Sequence, residues 1–304
     1  MAIIVAFLTF WVFFFPKADV ASGSAHFSTG GSGYKLATMP PPGLYYLMYN
    51  AYFDADDYID DRGHKIKGKD THTTVFSQTH RLVWSTPVKI LSGNLLLDIV
   101  IPVYSFDLGR TLVGPNGDTH HFGVGDPYSH VTIAWHGPTY DALASLAFFF
   151  PIGEYRQGEA ASPGKGYFGL QPTFGLTWYF DKARTWTWST IVRYEFSYKQ
   201  RHTGLREGDN FHYETSVGKQ LGNIALAVSS AGSFQTTNAK GKGSDEANAA
   251  LTRTFSLGPE VVVGLGRLGN LSFRCLFGLE ARNSSKGVTS VLTWTVPIFM
   301  YDQN

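Results

Sequence analysis

Residues 172–198 read PTFGLTWYFDKARTWTWSTIVRYEFSY, and this stretch restricts the fold more than any other. Phe174, Leu176, Trp178 and Phe180 share one parity; after a turn of about five residues, Trp186, Trp188, Val192, Tyr194 and Phe196 share one again. Ser189, Arg193 and Glu195 occupy the opposite parity. A period of two means strands, and so short a turn means an antiparallel hairpin. One face is aromatic and the other is charged, so the fold class turns on which face meets water.

The rest of the chain repeats the pattern. Alternating or β-rich runs occupy roughly 43–53, 72–86, 94–106, 127–136, 140–153, 166–180, 185–198, 208–220, 223–236, 248–264, 270–281 and 287–299. Connections after odd-numbered runs are mostly long: DADDYIDDRGHKIKGKD, the run from Leu108 to Asp126, EYRQGEAASPGKG, KQRHTGLRE and TNAKGKGSDEA. Those after even-numbered runs are mostly tight: GPTY, DKART, LGN and GRLGN, with Lys89 to Asn94 intermediate. A sandwich or propeller has no reason to alternate loop lengths, whereas an outer-membrane barrel does so by construction. The expectation is therefore an all-β transmembrane antiparallel barrel of about twelve strands, within a range of about 10–14, with short periplasmic turns and long outer loops.

A bilayer leaves no water for backbone groups, and a closed barrel satisfies them all internally. Its strands then face lipid on one parity and the lumen on the other. Phe174, Leu176, Trp178, Trp186, Trp188, Val192, Tyr194 and Phe196 are expected toward lipid, with Trp and Tyr near strand ends forming interfacial girdles. Leu271, Phe273, Cys275, Phe277 and Leu279 repeat the outward parity, with Arg274 and Glu280 inward.

Composition agrees. Charged residues are 16% of the 304, against about a quarter in soluble domains, while aromatics reach 15% and glycines number 33. A net charge of +1 gives no reason to expect a nucleic-acid partner. A single cysteine, Cys275, excludes an intrachain disulfide and reads as an apolar filler. Residues 2–15 are apolar but too few for a spanning helix, which needs about 20 residues. With Gly23-Ser24-Ala25 behind them, residues 1–25 resemble a secretory signal cleaved near Ala25, although no basic n-region precedes the apolar run. Residues 26–42 (HFSTGGSGYKLATMPPP) are expected to be an extended periplasmic or plug segment, and 43–304 the barrel.

Inward charges must pair. Arg81 and Asp98 straddle the turn at Lys89–Asn94 and should lie nearly opposite; Arg193 and Glu195 should face His212 and Glu214; Arg274 and Glu280 complete the lumen-charged set. Such pairs shape the field in a pore or fix the register of a filled barrel. Tyr46, Tyr52, Tyr104, Tyr167 and Tyr179 share parity with polar neighbours and are candidates to line a solute path. No metal site or cofactor is expected. His120 and His121 point apart, and His64, His72 and His202 fall in or near loops. The acidic run from Asp54 to Asp61 lacks the distal Glu of a calcium loop, and GLGRLGN precedes no helix that would make it a phosphate loop. Ser129 and His130 project to opposite faces, so no nucleophile–base pair falls on the lipid face.

The stretches HFSTGGSG, PPPGLYYLMYNAYFDAD, RLVWSTPVKILSGN, GVGDPYSHVTIAWHG, FFFPIGEY, GKGYFGLQP, VRYEFS, GPEVVV and LEARN, in this order, resemble the outer-membrane family named for the meta-pathway of phenol degradation. That resemblance implies a barrel transporter for hydrophobic small molecules, loosely similar to the fatty-acid and toluene channels, whose N-terminal segment plugs the lumen. It implies no catalytic residues, and Ile152 in PIGEY stands where the family often carries Thr. The expected function is passive uptake of hydrophobic, including aromatic, small molecules through the outer membrane, with lipid and solute as partners. The alternatives are a closed structural or adhesin-like barrel and an outer-membrane lipid hydrolase.

Overall fold

Strands form where side chains alternate, and they stop where Gly, Pro, Asn or Asp supplies a turn. The structure is a computed structural model that describes residues 25–66, 69–114, 116–156, 159–201, 203–241 and 251–301. The proposed leader, apart from Ala25, and His202 lie outside the described residues. In chain order the strands are β1 (Gly43–Ile59), β2 (Thr73–Ile90), β3 (Gly93–Leu108), β4 (His120–Val124), β5 (Tyr128–His136), β6 (Tyr140–Phe149) and β7 (Gly169–Tyr179). They continue with β8 (Trp186–Ser197), β9 (Asn210–Leu221), β10 (Ile224–Gln235), β11 (Arg253–Gly264), β12 (Asn270–Arg282) and β13 (Ser284–Met300). Of helix the described residues hold a one-turn piece, Arg110–Val113, and a 3-10 turn, Gly266–Leu268.

Every sequential neighbour in the ring pairs antiparallel, and β1 pairs with both β2 and β13. Twelve strands close the cylinder and leave β4 as an extra. The lower part of β3 pairs with β5 from Asn94↔Ala134 to Val100↔Tyr128, and its upper part pairs with β4 from Val103↔Val124 to Asp107↔His120. β4 is thus the upward continuation of β5, broken at Gly125-Asp126-Pro127, where Pro127 offers no backbone donor. The break hides the alternation, so by pattern alone this stretch reads as loop.

The tight ends follow the expected order. β2 and β3 are joined through Leu91 and Ser92, both at positive φ (49° and 65°), which matches the twist of a two-residue hairpin. At the β7–β8 turn Asp181 accepts from the backbone N–H of Trp186 and Thr185, which holds its carboxyl below the usual range. The long connections gather at the opposite rim with one exception. β12 and β13 meet there through Asn283 alone, at φ 46°. Their ladder runs only from Asn270↔Thr295 to Phe277↔Val288, above which each strand keeps to its other neighbour. Bulges lie beside this seam, at Phe255/Ser256 and at Asp54/Asp57.

The two faces separate as alternation requires. On β7 and β8, Gln171, Thr173, Thr177, Tyr179, Thr187, Ser189, Arg193 and Glu195 are buried inward. Phe174, Trp178, Trp186, Trp188, Val192 and Phe196 stand on the outer surface with Phe180 beyond the strand end. Phe273, Phe277, Leu279, Val228 and Leu226 continue the belt. A cylinder with this continuous apolar exterior belongs in a bilayer, and its strand number and loop asymmetry are those of the outer membrane. Phe174 sits midway along β7 and is 62% exposed. Phe174→Arg is expected to lower the unfolding free energy in lipid by about 2–4 kcal/mol. Urea titration of the barrel in vesicles measures this, and a neutral result would remove Phe174 from the lipid face.

Candidate functional site

Small residues on one half of the wall and large ones on the other give the lumen its shape. β10–β13 turn Ala225, Ala227, Ser229, Ser256, Gly264, Ser272, Thr293 and Thr295 inward. Next to them in the ring, where β1 pairs with β13, strands β1–β3 present Tyr45, Leu47, Tyr49, Phe53, Val75, Tyr104 and Phe106. Tyr104 and Phe106 stack with ring centres 5.2 Å apart. A cavity of about 1170 Å³ is lined by residues of both sets. Its lining includes the periplasmic turn residues Gly222, Asn223 and Gly266, and also Thr252, Glu280 and Ser284 near the outer rim.

Residues 26–41 occupy the remainder of the lumen. They are anchored along their length by side chains on the inward parity of the wall, as the following hydrogen bonds show. At the outer end the His26 ring stacks on Phe149 (4.7 Å) and meets Tyr167 edge-on (4.3 Å). His26 N–H donates to Glu195 Oε1 (2.8 Å) and Phe27 N–H to Glu195 Oε2 (3.2 Å). Deeper, Arg193 lies over the Phe27 ring (4.3 Å) and donates to Ser32 Oγ (2.8 Å), while Ser32 N–H donates to Glu214 Oε2 (2.8 Å). Arg274 donates to the Gly30 carbonyl (2.7 Å), and Tyr34 N–H to Glu260 Oε1 (3.0 Å). Near the periplasmic rim Thr38 donates to Asp141 (2.9 Å), Ser85 to the Pro40 carbonyl (3.1 Å) and Tyr45 to the Pro41 carbonyl (2.9 Å). Gly33 passes so close to the Arg274–Glu260 pair that a Cβ would collide with both, and its φ of +73° also favours glycine.

The wall charges form three groups. Arg81 on β2 reaches Asp98 on β3 (2.5 Å), one diagonal step from directly opposite, and the His130 ring on β5 donates to the other carboxylate oxygen (2.7 Å). Arg193 pairs with Glu214 (3.2 Å), while His212 faces Glu195 at 3.6 Å and Gln171 donates to it at 3.4 Å. Arg274 pairs with Glu260 (3.3 Å), to which Ser229 also donates (2.6 Å). Glu195 and His212 have no solvent exposure, so the cost of burying them is met only by contacts of this kind.

Three expected positions need correction. Tyr46 and Tyr52 face outward: it is Tyr45, Tyr49 and Phe53 that line the cavity. Asn50 shares the parity of Tyr46 and Tyr52 and suggested a lumen face, but its amide is satisfied on the outside by Gln78 (2.9 Å), just as Tyr46 meets His80 (2.6 Å). Glu280 is not among the buried lumen charges; it stands exposed near the outer rim within 3.5 Å of both Arg253 and Arg282. The bulge opposite Phe255/Ser256 leaves Leu279 as an extra residue on β12 and resets the parity there. Tyr167 is fully buried but precedes β7, in the outer connection, where it covers His26. Tyr104 lines the cavity. Tyr179 points inward at the periplasmic end, bonded to Asp141 and Thr38 and covered by Arg184 at 3.9 Å. Parity and turn counting did not single out His26, Asp126, His130, Asp141 or Glu260. A single charge on the inward parity of an otherwise apolar strand, as at Glu260 among Val261–Val263, was the available signal. On β4, His120 and His121 turn to different partners, Asp107 (2.9 Å) and Glu154 (3.0 Å).

Residues 55–294 match the family model described as "MetA-pathway of phenol degradation". The chain belongs to that family. No curated protein matches it. Among solved structures, an outer-membrane channel from Pseudomonas putida F1 aligns with 86% of this chain and 97% of its own, with a TM-score of 0.74 and 13% identity. The monoaromatic hydrocarbon channel CymD aligns with 88% of this chain and 91% of its own, at a TM-score of 0.45 and 10% identity. A FadL homologue from Pseudomonas aeruginosa covers 94% and 99%, at 0.45 and 9%. At these identities the likeness is one of fold. The twelve-stranded phenol-degradation-family barrel shares its architecture with the P. putida channel, and the other two are too distant to carry an argument.

Proposed function

We propose that this barrel is a passive channel for hydrophobic, including aromatic, small molecules, and that residues 26–42 are its plug. The single observation behind this reading is the cavity of about 1170 Å³ that reaches from periplasmic turns to outer-rim residues beside the plug, with Tyr49, Phe53, Tyr104 and Phe106 along one wall. Aromatic side chains offer a planar solute repeated stacking partners, and the small residues of β10–β13 leave it room. The family takes its name from phenol degradation, which fits the same solute class. The arrangement needs no chemical step: the inward carboxylates are engaged with guanidinium, imidazole or plug amides and serve to hold the plug, so the chain is not an enzyme in this reading.

Proteoliposomes carrying the barrel are expected to admit phenol faster than protein-free vesicles and faster than a sugar of similar size. Phe53→Asp with Tyr104→Asp is expected to reduce phenol influx several-fold without unfolding the barrel. Equal influx of phenol through both proteins would show that this wall is not the path.

A further inference from the structure

Every buried carboxylate of the lumen that touches the plug has a guanidinium within reach, except at one place. Glu214 has Arg193, Glu260 has Arg274, and Asp141 has Arg184 at 2.8 Å. Glu195 and Asp126 do not. Their side chains are 0% and 2% exposed, and among the described residues their ion-pair partners are histidines: His26 and His212 for Glu195, and His26 for Asp126. Asp126 also accepts from the backbone N–H groups of Gly153 (2.9 Å) and Lys165 (2.6 Å), and the Lys165 side chain adds a positive field at both carboxylates. Two anions buried together are costly unless a cation joins them.

The main-chain nitrogen of His26 donates to Glu195 Oε1 at 2.8 Å, with the ring Nδ1 2.9 Å from the same oxygen. In an unprocessed chain that nitrogen belongs to a neutral amide. The residues before it are Gly23-Ser24-Ala25, small at the two positions that exported-protein processing reads. We propose that a signal peptidase cuts between Ala25 and His26, and that the α-ammonium released is the cation held by Glu195. Water adds across the peptide bond; Ala25 leaves with the new carboxylate, and His26 keeps the nitrogen, which becomes protonated. One proteolytic event thus removes the leader and supplies a full positive charge at the position where the wall buries two anions without a guanidinium. The mature N-terminus becomes the outer anchor of the plug, locked from above by Phe149 and Tyr167. This anchor is independent of what passes through the lumen.

The test uses the full barrel purified from outer membranes. Intact mass and N-terminal sequencing are expected to give a chain beginning at His26; any other first residue overturns the proposal. The amine is then challenged near neutral pH with an N-hydroxysuccinimidyl acetate, read on the N-terminal peptide. Labelling of the folded barrel is expected to be at least about tenfold slower than that of the denatured chain. Glu195→Gln is expected to restore much of the reactivity in a barrel that still folds. Asp126→Asn, read the same way, replaces it if the first variant fails to fold. Equal labelling of folded and denatured wild type would refute the buried ammonium even with His26 as first residue.

Discussion

Removing residues 26–42 is expected to raise single-channel conductance several-fold in planar bilayers while leaving the barrel folded. The segment fills the lumen from the level of Phe149 and Tyr167 to that of Asp141 and Tyr179, and the closed ring of twelve strands does not need it for any backbone pairing. What it does supply is a set of backbone donors to Glu195, Glu214 and Glu260 and a carbonyl to Arg274. Water filling the emptied lumen can replace each of these, so the charges become solvated and line an open pore. The fold is checked by the shift of the barrel on unheated gels. Unchanged conductance in a folded, deleted barrel would mean that the segment is not the obstruction. Silence of both forms would exclude a continuous aqueous path and leave a closed barrel.

The second large effect concerns stability. Arg274 is 2% exposed and bridges three things at once: Glu260 on β11, Ser272 on its own strand and the Gly30 carbonyl of the plug. Arg274→Met keeps most of the volume but leaves Glu260 buried without its cation. The expected loss is about 3–5 kcal/mol, the range for breaking a buried ion pair from one side. Arg274→Met combined with Glu260→Gln is expected to recover most of that loss, because the uncompensated charge has gone. Urea unfolding in vesicles of the four proteins in this cycle gives the coupling. An additive double variant would mean that the pair is solvated and contributes little. Outward substitutions on the same strand, such as Phe277→Leu, should change stability far less than Arg274→Met.

The barrel was legible from the sequence because two periodicities agree. Alternation on β7 and β8 assigned Phe174 and Trp188 outward and Arg193 and Glu195 inward, the alternating runs numbered about twelve, and the order of long and short connections pointed to an outer-membrane barrel. Arg81 with Asp98, and Arg193 and Glu195 with Glu214 and His212, followed from hairpin arithmetic, since cross-strand neighbours are fixed once the turn is known. Alternation misled where both parities carry similar residues. On β1, Tyr45 and Tyr46 are adjacent and equally suited to either face, and the polar Asn50 lies outward because Gln78 satisfies it. A bulge is invisible to parity counting, which misplaced Glu280; a break at Gly125–Pro127 concealed β4. The lumen site was legible only in part, because half of its partners belong to the plug. Nothing local to Glu195 or Arg274 says that a backbone segment 169 to 244 residues away will bind them. Such contacts exist only when the cylinder is closed and the segment lies inside it.

Passage through the lumen is the central claim, and filling the lumen tests it most directly. Ser256 and Thr289 line the same cavity, Thr289 as the cross-strand neighbour of Phe53 on the aromatic wall. Ser256→Trp together with Thr289→Trp places two indoles in that space without touching the plug anchors named above. In proteoliposomes the rate of phenol influx is expected to fall to that of protein-free vesicles. Influx at the wild-type rate, through a barrel shown to be folded with both tryptophans in place, would contradict the lumen route.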